Sequence, residues 1–175
     1  LVEEIAVVIK RLPEEQRRTT LIDSGAASPE MMRDLGRRVA DFHKRAETSA
    51  EIAYYGSLDT VRHNWDENFE QTESFIGRTL DRETWQVCKQ EIERFMRVYA
   101  DLFETRVEEG WIRDCHGDMQ TDDIFIDPAT GAAQVLDCIE FNKRFRYSDT
   151  ISDIAFLSMN LRHRGADDLA EAFLV

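Results

Sequence analysis

The sequence predicts an α+β fold that is mostly helical, with one short β-hairpin that supports an acidic loop. Between residues 28 and 108, apolar side chains recur at intervals of three and four, which is the spacing of one helical face. After residue 110 the period changes, and two short apolar runs flank the sequence PATG, which is typical of a turn. These patterns indicate a helical zone followed by a hairpin.

Length and charge bound the class of protein. The chain has 175 residues, of which 42% are hydrophobic and 33% charged, so it is long enough to form one domain with a real core. The net charge of −13 argues against a nucleic-acid partner, because a phosphate backbone needs a basic surface. This charge permits a cationic substrate or a metal–nucleotide complex, and it also fits a solubilising acidic surface.

The cysteines and the start of the chain bear on location. Cys88, Cys115 and Cys138 are odd in number and scattered, which is typical of a reducing compartment. They lack zinc-ligand spacing, so we interpret them as buried structural thiols. No apolar run is long enough to span a bilayer, and the start LVEEIAVVIK lacks the features of a signal peptide. We therefore expect a cytoplasmic protein with no membrane partner.

The sequence of the first 27 residues predicts a strand followed by a linker. Residues 5–9, IAVVI, are apolar and β-branched and predict a buried strand, which ends at Leu12 and Pro13. Little periodicity follows up to residue 27. The chain begins within this strand and without an initiator Met, so we expect a piece of a longer protein. We divide it into residues 1–27, a strand and linker, and residues 28–175, a helical part.

Three helices are predicted next. Ser28 and Pro29 supply an N-cap and a first-turn proline for the first helix. The second covers residues 58–76, and the third covers residues 81–110 and ends at Gly110. Their apolar faces are predicted core surfaces: Met32, Leu35, Val39 and Phe42; Val61, Trp65, Phe69, Thr72 and Ile76; Trp85, Cys88, Ile92, Phe95, Tyr99 and Leu102. We interpret His43 and His63, which lack a partner spacing, as structural or solvated.

The last zone predicts a hairpin and two further helices. Residues 124–126 and 133–136 are short apolar runs joined by PATG, and we expect them to pair as antiparallel strands. Ser148 is predicted to cap a helix. Its inward positions are Ile151, Ile154, Ala155, Ser158 and Leu161. Another helix starts at residue 166 and reaches residue 173.

Three aspartates flank the predicted hairpin. Asp118 and Asp123 precede its first strand and Asp137 follows its second, so the hairpin would bring them to one end. Converging carboxylates repel unless a cation neutralises them, and hard oxygen ligands suit Mg²⁺. One carboxylate would then serve as base for a hydroxyl nucleophile, which is an arrangement for phosphoryl transfer. Solvated aspartates in turns explain the same spacing equally well.

Three motifs in order resemble a known family. HGDMQTDDIFID, followed by VLDCIEF and YSDTISDIAFL, resembles the C-terminal lobe of the aminoglycoside phosphotransferase and choline kinase family, a branch of the protein-kinase-like fold. The family signature is H-G-D-x-x-x-x-N, a hydrophobic strand and then an Asp. The resemblance extends back to VADFHKRA. It is closest to a bacterial subgroup in which a kinase-like domain often precedes a P-loop ATPase-like domain.

The resemblance implies a role for each matching residue. Asp118 corresponds to the catalytic aspartate that accepts the hydroxyl proton, and Asp123 and Asp137 correspond to the metal-binding positions. The remaining matches are His116 as a catalytic-loop residue, Gly117 and Asp153 as supports of that loop, and Glu140 as a further substrate or metal contact. ATP and Mg²⁺ are the implied cofactors, and a hydroxyl-bearing small molecule is the implied substrate.

The chain departs from the family pattern in two ways. Asp123 stands where the family has Asn, and Gln120 stands where His is frequent. Asp still ligates Mg²⁺ through oxygen, but it adds a negative charge and loses the amide donor. The second departure is the absence of most of the N-terminal lobe. Lys10 of VVIK does not match the nucleotide-binding lysine, because a Pro and an irregular linker follow it, so residues 5–12 fit the last small-lobe strand and the hinge.

These features lead to three hypotheses. The first is the large lobe of an ATP- and Mg²⁺-dependent phosphotransferase that acts on a hydroxyl, with this piece inactive alone. The second is a degenerate kinase-like module with a binding or regulatory role, which Asp123 and Gln120 favour. The third is a structural helical domain whose acidic loop is solvated. The sequence leaves the substrate open among sugars, aminoglycosides, choline-like amines and protein hydroxyls.

Overall fold

The fold was analysed in a computed structural model that describes residues 11–127 and 129–175. The predicted strand at residues 5–9 lies outside these residues. The helices are α1 (Arg18–Asp23), α2 (Pro29–Arg45), α3 (Ala50–Tyr54), α4 (Leu58–Glu73), α5 (Arg82–Val98), α6 (Ala100–Glu108), α7 (Lys143–Arg146), α8 (Thr150–His163) and α9 (Asp167–Leu174). The strands are β1 (Ile112–Asp114), β2 (Ile124–Ile126), β3 (Ala133–Val135) and β4 (Tyr147–Asp149). In the described part of the chain, every helix is too short or too polar to cross a membrane. This is an α+β fold, as the sequence predicts.

The chain forms two compact units, and each is described by itself. The hairpin unit comprises the described residues up to Ala40, together with Asp118–Asp137 and Ile154–Val175. The helical unit comprises Asp41–Gly117 and Cys138–Asp153. Helices α2 and α8 therefore contribute residues to both units.

The hairpin unit is built around strands β2 and β3, which pair antiparallel with Ile124 opposite Val135. This confirms the predicted hairpin, whose second strand ends one residue earlier than expected. All three β2 residues are buried, so the strand reads as a continuous apolar run. The main core of the unit is apolar and fully buried at its centre, at Met32, Leu35, Ile124, Ile126, Leu157, Leu161 and Ala170.

The helical unit has its own small core. Strands β1 and β4 pair antiparallel with Ile112 opposite Asp149, and Ile52, Ile112 and Tyr147 are buried together. Helices α3 and α5 begin at side-chain caps: Ser49 accepts a hydrogen bond from the backbone of Ile52, and Asp81 accepts one from Thr84 at 2.8 Å. These caps explain why the two helices start where they do.

Helix α2 confirms the first predicted helix, with one change of face. Met32, Leu35 and Val39 are buried as expected, but Phe42 is 39% exposed and His43 is 5% exposed. The buried face therefore continues from Val39 by four residues rather than three. The second predicted helix is also confirmed, but it ends at Glu73 instead of residue 76.

The prediction of one helix over residues 81–110 is wrong. The helix breaks at Tyr99, whose backbone has φ −112° and ψ 30°, and α5 and α6 lie on either side. The predicted core surface of this segment is also wrong at four positions, because Cys88, Phe95, Tyr99 and Leu102 are exposed. Helix α5 packs on α4 and α6, which leaves part of its apolar stripe uncovered.

The start of α8 also differs from the prediction. Ser148 lies in strand β4, and the carboxylate of Asp149 accepts the hydrogen bond from the backbone of Ile151 at 2.9 Å. Ile151 and Ala155 are exposed rather than inward. Ser158 and Leu161 are buried as expected.

The cysteine prediction is correct at one position. Cys115 is a buried free thiol, whereas Cys88 and Cys138 are exposed free thiols. Cys88 lies on the exposed face of α5, and Cys138 lies in the exposed segment after β3.

Arg18 is a fully buried cation in the hairpin unit. Its Nη2 donates to the sulfur of Met32 at 2.6 Å, while Nε and Nη1 have no hydrogen-bond partner in the described structure. Burial lowers the pKa of Arg18 to about 9. A buried, unpaired charge opposes folding, because desolvation of the guanidinium is not offset by an anion.

We expect the substitution Arg18→Met to raise the free energy of unfolding at pH 7 by about 1–4 kcal/mol. A folded-state pKa below the unfolded one means that the unfolded chain holds more protons, so the cost of Arg18 falls as pH rises above about 9. Urea unfolding at pH 7 and at pH 10 should therefore show a smaller advantage of the variant at pH 10. Arg38→Met, at an exposed position on α2, is the control. A variant less stable than the wild type at pH 7 would contradict the expected cost of burying Arg18.

Candidate functional site

The end of the hairpin brings two of the predicted aspartates together. The backbone N–H of Leu136 donates to the carbonyl of Asp123 at 2.9 Å, which extends the β2–β3 ladder beyond its strands. Asp123 therefore lies opposite Leu136, one residue from Asp137. The predicted placement of Asp123 and Asp137 at one hairpin end follows from this backbone pairing.

Several side chains fix the loop that carries Asp123. Thr121 is fully buried, and its backbone N–H and hydroxyl both donate to the side-chain oxygen of Asn160. Arg17 donates to the carbonyl of Asp122 at 3.0 Å, and Arg164 contacts the carboxylate of Asp122 at 3.1 Å. These partners come from α8 and from segments beside it, so the short 3₁₀ turn at Thr121–Asp123 has a defined position within the hairpin unit.

Asp118 has a direct side-chain partner in the same loop. The amide of Gln120 donates to Oδ1 of Asp118 at 2.9 Å. This bond orients the carboxylate that the sequence predicts as the catalytic base. It also gives a role to Gln120, which the sequence marks only as a departure from the family pattern.

Asp137 has an unusual backbone. Its φ is +63°. Among the described residues, 11–127 and 129–175, it is the one non-glycine residue with a positive φ. The left-handed region is unfavourable for side-chain-bearing residues, and Asp tolerates it better than most. Such outliers persist where the surrounding structure requires them, often at functional sites. The strained residue is one of the two predicted metal ligands.

The donor set suits Mg²⁺, but the structure does not gather all three carboxylates. Asp118, Asp123 and Asp137 do not come within 4.8 Å of one another as a group of three. Carboxylate oxygens are the ligands that Mg²⁺ prefers, and it usually takes only one or two of them, with phosphate oxygens and water completing its shell. Asp123 and Asp137 at the hairpin end fit that role. Glu140 is exposed and belongs to the helical unit.

The helical unit contains a buried network around Asp153. Its Oδ2 accepts hydrogen bonds from Nε2 of His43 and the backbone N–H of His116, both at 2.9 Å, and its Oδ1 accepts one from the N–H of Gly117 at 2.9 Å. Burial would raise the pKa of Asp153, but these three bonds outweigh burial and hold that pKa below its ordinary value of 3.8. Asp153 is therefore a buried carboxylate that stays ionised and fixes two backbone groups.

Gly117 has no tolerated replacement at its position. Its φ is +87°, and a Cβ there would lie 2.7 Å from the carbonyl oxygen of Phe145. The next residue in sequence is Asp118. The loop that approaches the acidic residues thus needs both the glycine conformation and the Asp153 carboxylate.

His43 is structural, which is one of the two roles expected from the sequence, but the sequence did not reveal its partner Asp153. It is buried, and its Nε2 carries the proton because an ionised carboxylate only accepts hydrogen bonds. The sequence signal was present, since His43 lies four residues after buried Val39 on the inward face of α2. Its partner lies 110 residues away in sequence, which periodicity does not reveal.

The thiol of Cys115 lies beside this pair, and the three ligand atoms of His43, Cys115 and Asp153 are within 4.8 Å of one another. Burial, followed by the charge of Asp153, raises the pKa of Cys115 to about 12. The thiol therefore stays protonated, and it donates to the carbonyl of Ser148 at 3.4 Å. A metal needs the thiolate and free carboxylate lone pairs, so this donor set fits a hydrogen-bonded network better than a metal centre.

Comparison with known families agrees with the motifs. Residues 3–175 match the Phosphotransferase enzyme family, the family of the aminoglycoside phosphotransferases. The chain belongs to this phosphotransferase family. The resemblance found in the sequence is thereby confirmed, and the helical α+β fold is consistent with the C-terminal lobe of a kinase-like protein.

The chain is also similar to three mycobacterial proteins. These are uncharacterised proteins of Mycobacterium bovis and of two strains of Mycobacterium tuberculosis, each 31% identical over 171 residues. The match covers 98% of this chain and 34% of each relative, so the chain spans about a third of the length of the curated relatives it matches. No solved structure matches this chain.

We expect Asp153→Asn to lower the free energy of unfolding at pH 7 by roughly 3–5 kcal/mol, because it leaves His43 and two backbone N–H groups without a carboxylate. The pKa of Asp153 is depressed in the folded state, so its stabilisation is present above pH 3.8 and is lost as pH falls through the folded-state pKa. Urea unfolding at pH 7 and near pH 3 should show the difference between wild type and variant shrinking in acid.

Asp41→Asn is the control for this measurement, because Asp41 is exposed on the same α2 helix. Its carboxylate has a long contact with Lys44, at 3.5 Å. Its effect should stay within about 0.5 kcal/mol. Equal stabilities of Asp153→Asn and Asp41→Asn would contradict the bracing role of Asp153.

Proposed function

We propose that the protein to which this chain belongs transfers the γ-phosphoryl group of ATP, in the presence of Mg²⁺, to a hydroxyl group of a small molecule. The observation that carries the proposal is the paired hairpin end, where Asp123 directly precedes β2 and the left-handed Asp137 lies two residues after β3. A nucleotide lobe and a P-loop domain in the longer protein, as the family resemblance implies, belong to the same proposal.

Each acidic residue has a distinct part in the proposed reaction. Asp123 and Asp137 would hold Mg²⁺ through their oxygens, and the ion would neutralise charge on the phosphate groups. Asp118 would accept the proton of the attacking hydroxyl, with its carboxylate oriented by Gln120. His116 and Gly117 would set the backbone leading to Asp118, and Asp153 holds their N–H groups in place. Glu140 would contact the substrate or the metal from the exposed segment after Asp137.

The cellular setting is part of the proposal. The three cysteines are free thiols, two of them exposed, which is typical of a reducing compartment. The free thiols support our proposal that the protein is cytoplasmic. The net charge of −13 disfavours nucleic acid as a substrate and suits an acceptor that is neutral or cationic.

A non-catalytic kinase-like module is the second candidate, and Asp123 is the observation that favours it. This residue adds a negative charge where the family has Asn, and it lacks the amide donor. In such a module Asp123→Asn would create ATP turnover that the wild type lacks. In the proposed enzyme the wild type already turns over ATP, so a turnover assay of the two proteins separates these functions.

Asp118→Asn should reduce the turnover of Mg²⁺–ATP by roughly 10²–10⁴-fold while leaving nucleotide–metal affinity unchanged. The reason is that a base acts on the acceptor, whereas Asp123 and Asp137 hold the ion. ADP formation is measured with water and a panel of alcohols and amino sugars as acceptors. Affinity is measured by titration with Mn²⁺–ADP. The longest native chain that contains these residues is used.

Asp122→Asn is the matched control, since it removes the same charge from the same loop and loses only a contact with Arg164. It should keep turnover within about twofold, because a surface ion pair contributes little. Without metal, Asp118→Asn should melt no earlier than the wild type, because one repulsive charge has been removed. An earlier melting point would identify Asp118 as a structural cap and remove it from the catalytic assignment.

A further inference from the structure

A concave groove in the helical unit has no role in the proposed reaction. It has a volume of about 550 Å³, within the range of small-molecule sites, and helices α4, α5 and α6, strand β4 and the start of α8 form its walls. We call it the aromatic groove and define it by six of its residues: Tyr55, Trp65, Phe95, Leu102, Phe103 and Tyr147.

The groove explains the exposed stripe of α5 and α6. Trp65, Phe95, Leu102 and Ile151 are 40%, 43%, 45% and 52% exposed, and all four line the same concave surface. Scattered apolar residues on a surface are ordinary, but a contiguous apolar concavity marks a binding site. The sequence places Phe95 and Leu102 on a predicted core face, and the structure turns this face toward the groove.

Two sets of polar contacts, which we call the clamps, connect the walls of the groove and fix the distance between them. Arg106 on α6 donates two hydrogen bonds to the carboxylate of Asp149 on β4, at 2.7 and 2.6 Å. Arg144 on α7 donates to Asn64 at 2.6 Å and forms an ion pair with Glu67, both on α4. The bidentate pair of Arg106 and Asp149 fixes geometry as well as charge, and Arg144 joins two side chains of α4 at once. The groove is therefore formed before any ligand arrives.

The same clamps determine the charge that the groove presents. Arg106, Arg144 and Asp149 are its charged lining residues, and each is already paired with an opposite charge. A charged ligand would lose its hydration without gaining a counter-ion. An uncharged ring system, by contrast, can stack against Trp65, Phe95 and Phe103.

We propose that the aromatic groove binds an uncharged small molecule that carries an aromatic or fused ring system. The proposal does not depend on the phosphotransferase reaction. The groove could instead be covered by a second copy of the chain or by another domain, and the experiment below distinguishes these occupants from a small molecule.

The test uses N-phenyl-1-naphthylamine, an uncharged fluorescent probe, titrated into the longest native chain that contains these residues. We expect one saturable site with a blue shift of the probe emission and quenching of tryptophan fluorescence. Leu102→Glu, which places a charge in the groove at a half-exposed position, should weaken probe binding at least tenfold without changing the melting curve. Val87→Glu is the control, because Val87 is exposed on α5 and does not line the groove.

A charged analogue, 8-anilinonaphthalene-1-sulfonate, should bind at least tenfold more weakly than the uncharged probe. Equal or tighter binding of the sulfonate would overturn the inference that the ligand is uncharged. Probe binding that is absent, or that Leu102→Glu leaves unchanged, would overturn the site itself. The proposal also fails if sedimentation shows a dimer that Leu102→Glu dissociates, or if residues 1–175 bind the probe and the longer chain does not.

Discussion

One buried carboxylate organises the helical unit. Asp153 accepts hydrogen bonds from a histidine side chain on α2 and from two consecutive backbone N–H groups, and it is only 1% exposed. A buried carboxylate with no partners would be protonated, but three donors keep this one ionised. The donors His116 and Gly117 directly precede Asp118 in the sequence. The N–H groups of His116 and Gly117 thus help to keep Asp153 ionised, and the ionised Asp153 in turn holds the backbone that leads to Asp118.

A second constraint acts in the hairpin unit, where register decides which residues meet. The pairing of Ile124 with Val135 continues into the bond between Leu136 and Asp123, and this places Asp137 just beyond the ladder. All three β2 side chains are buried, and their close packing fixes the register, because any other register would place side chains of different shape in the same packed positions. The chemistry proposed for the aspartates thus follows from hydrophobic packing, which contributes none of the reacting atoms.

The sequence predicted what depends on local pattern. The hairpin, helix α2 with its Ser28–Pro29 start, and the end at Gly110 all follow from turn residues, caps and periodicity. The break at Tyr99 was not predicted, because the apolar spacing continues through it without a Gly or Pro. The pairing of His43 with Asp153 joins residues 110 positions apart, and the buried Arg18 carries no local signal. The spacing of apolar residues predicts which face of a helix is apolar. It does not predict whether another element covers that face, and Phe95 and Leu102 are exposed examples.

The central claim is that the hairpin end holds the metal of a metal–nucleotide complex. The most direct measurement is the broadening of assigned backbone amide resonances by Mn²⁺–ADP, because paramagnetic broadening falls steeply with distance from the ion. The account predicts that the amides of residues 122–124 and 136–138 broaden at the lowest concentration, and that Asp137→Asn removes this effect. Broadening that begins at other exposed carboxylates, or that is unchanged in Asp137→Asn, would contradict it.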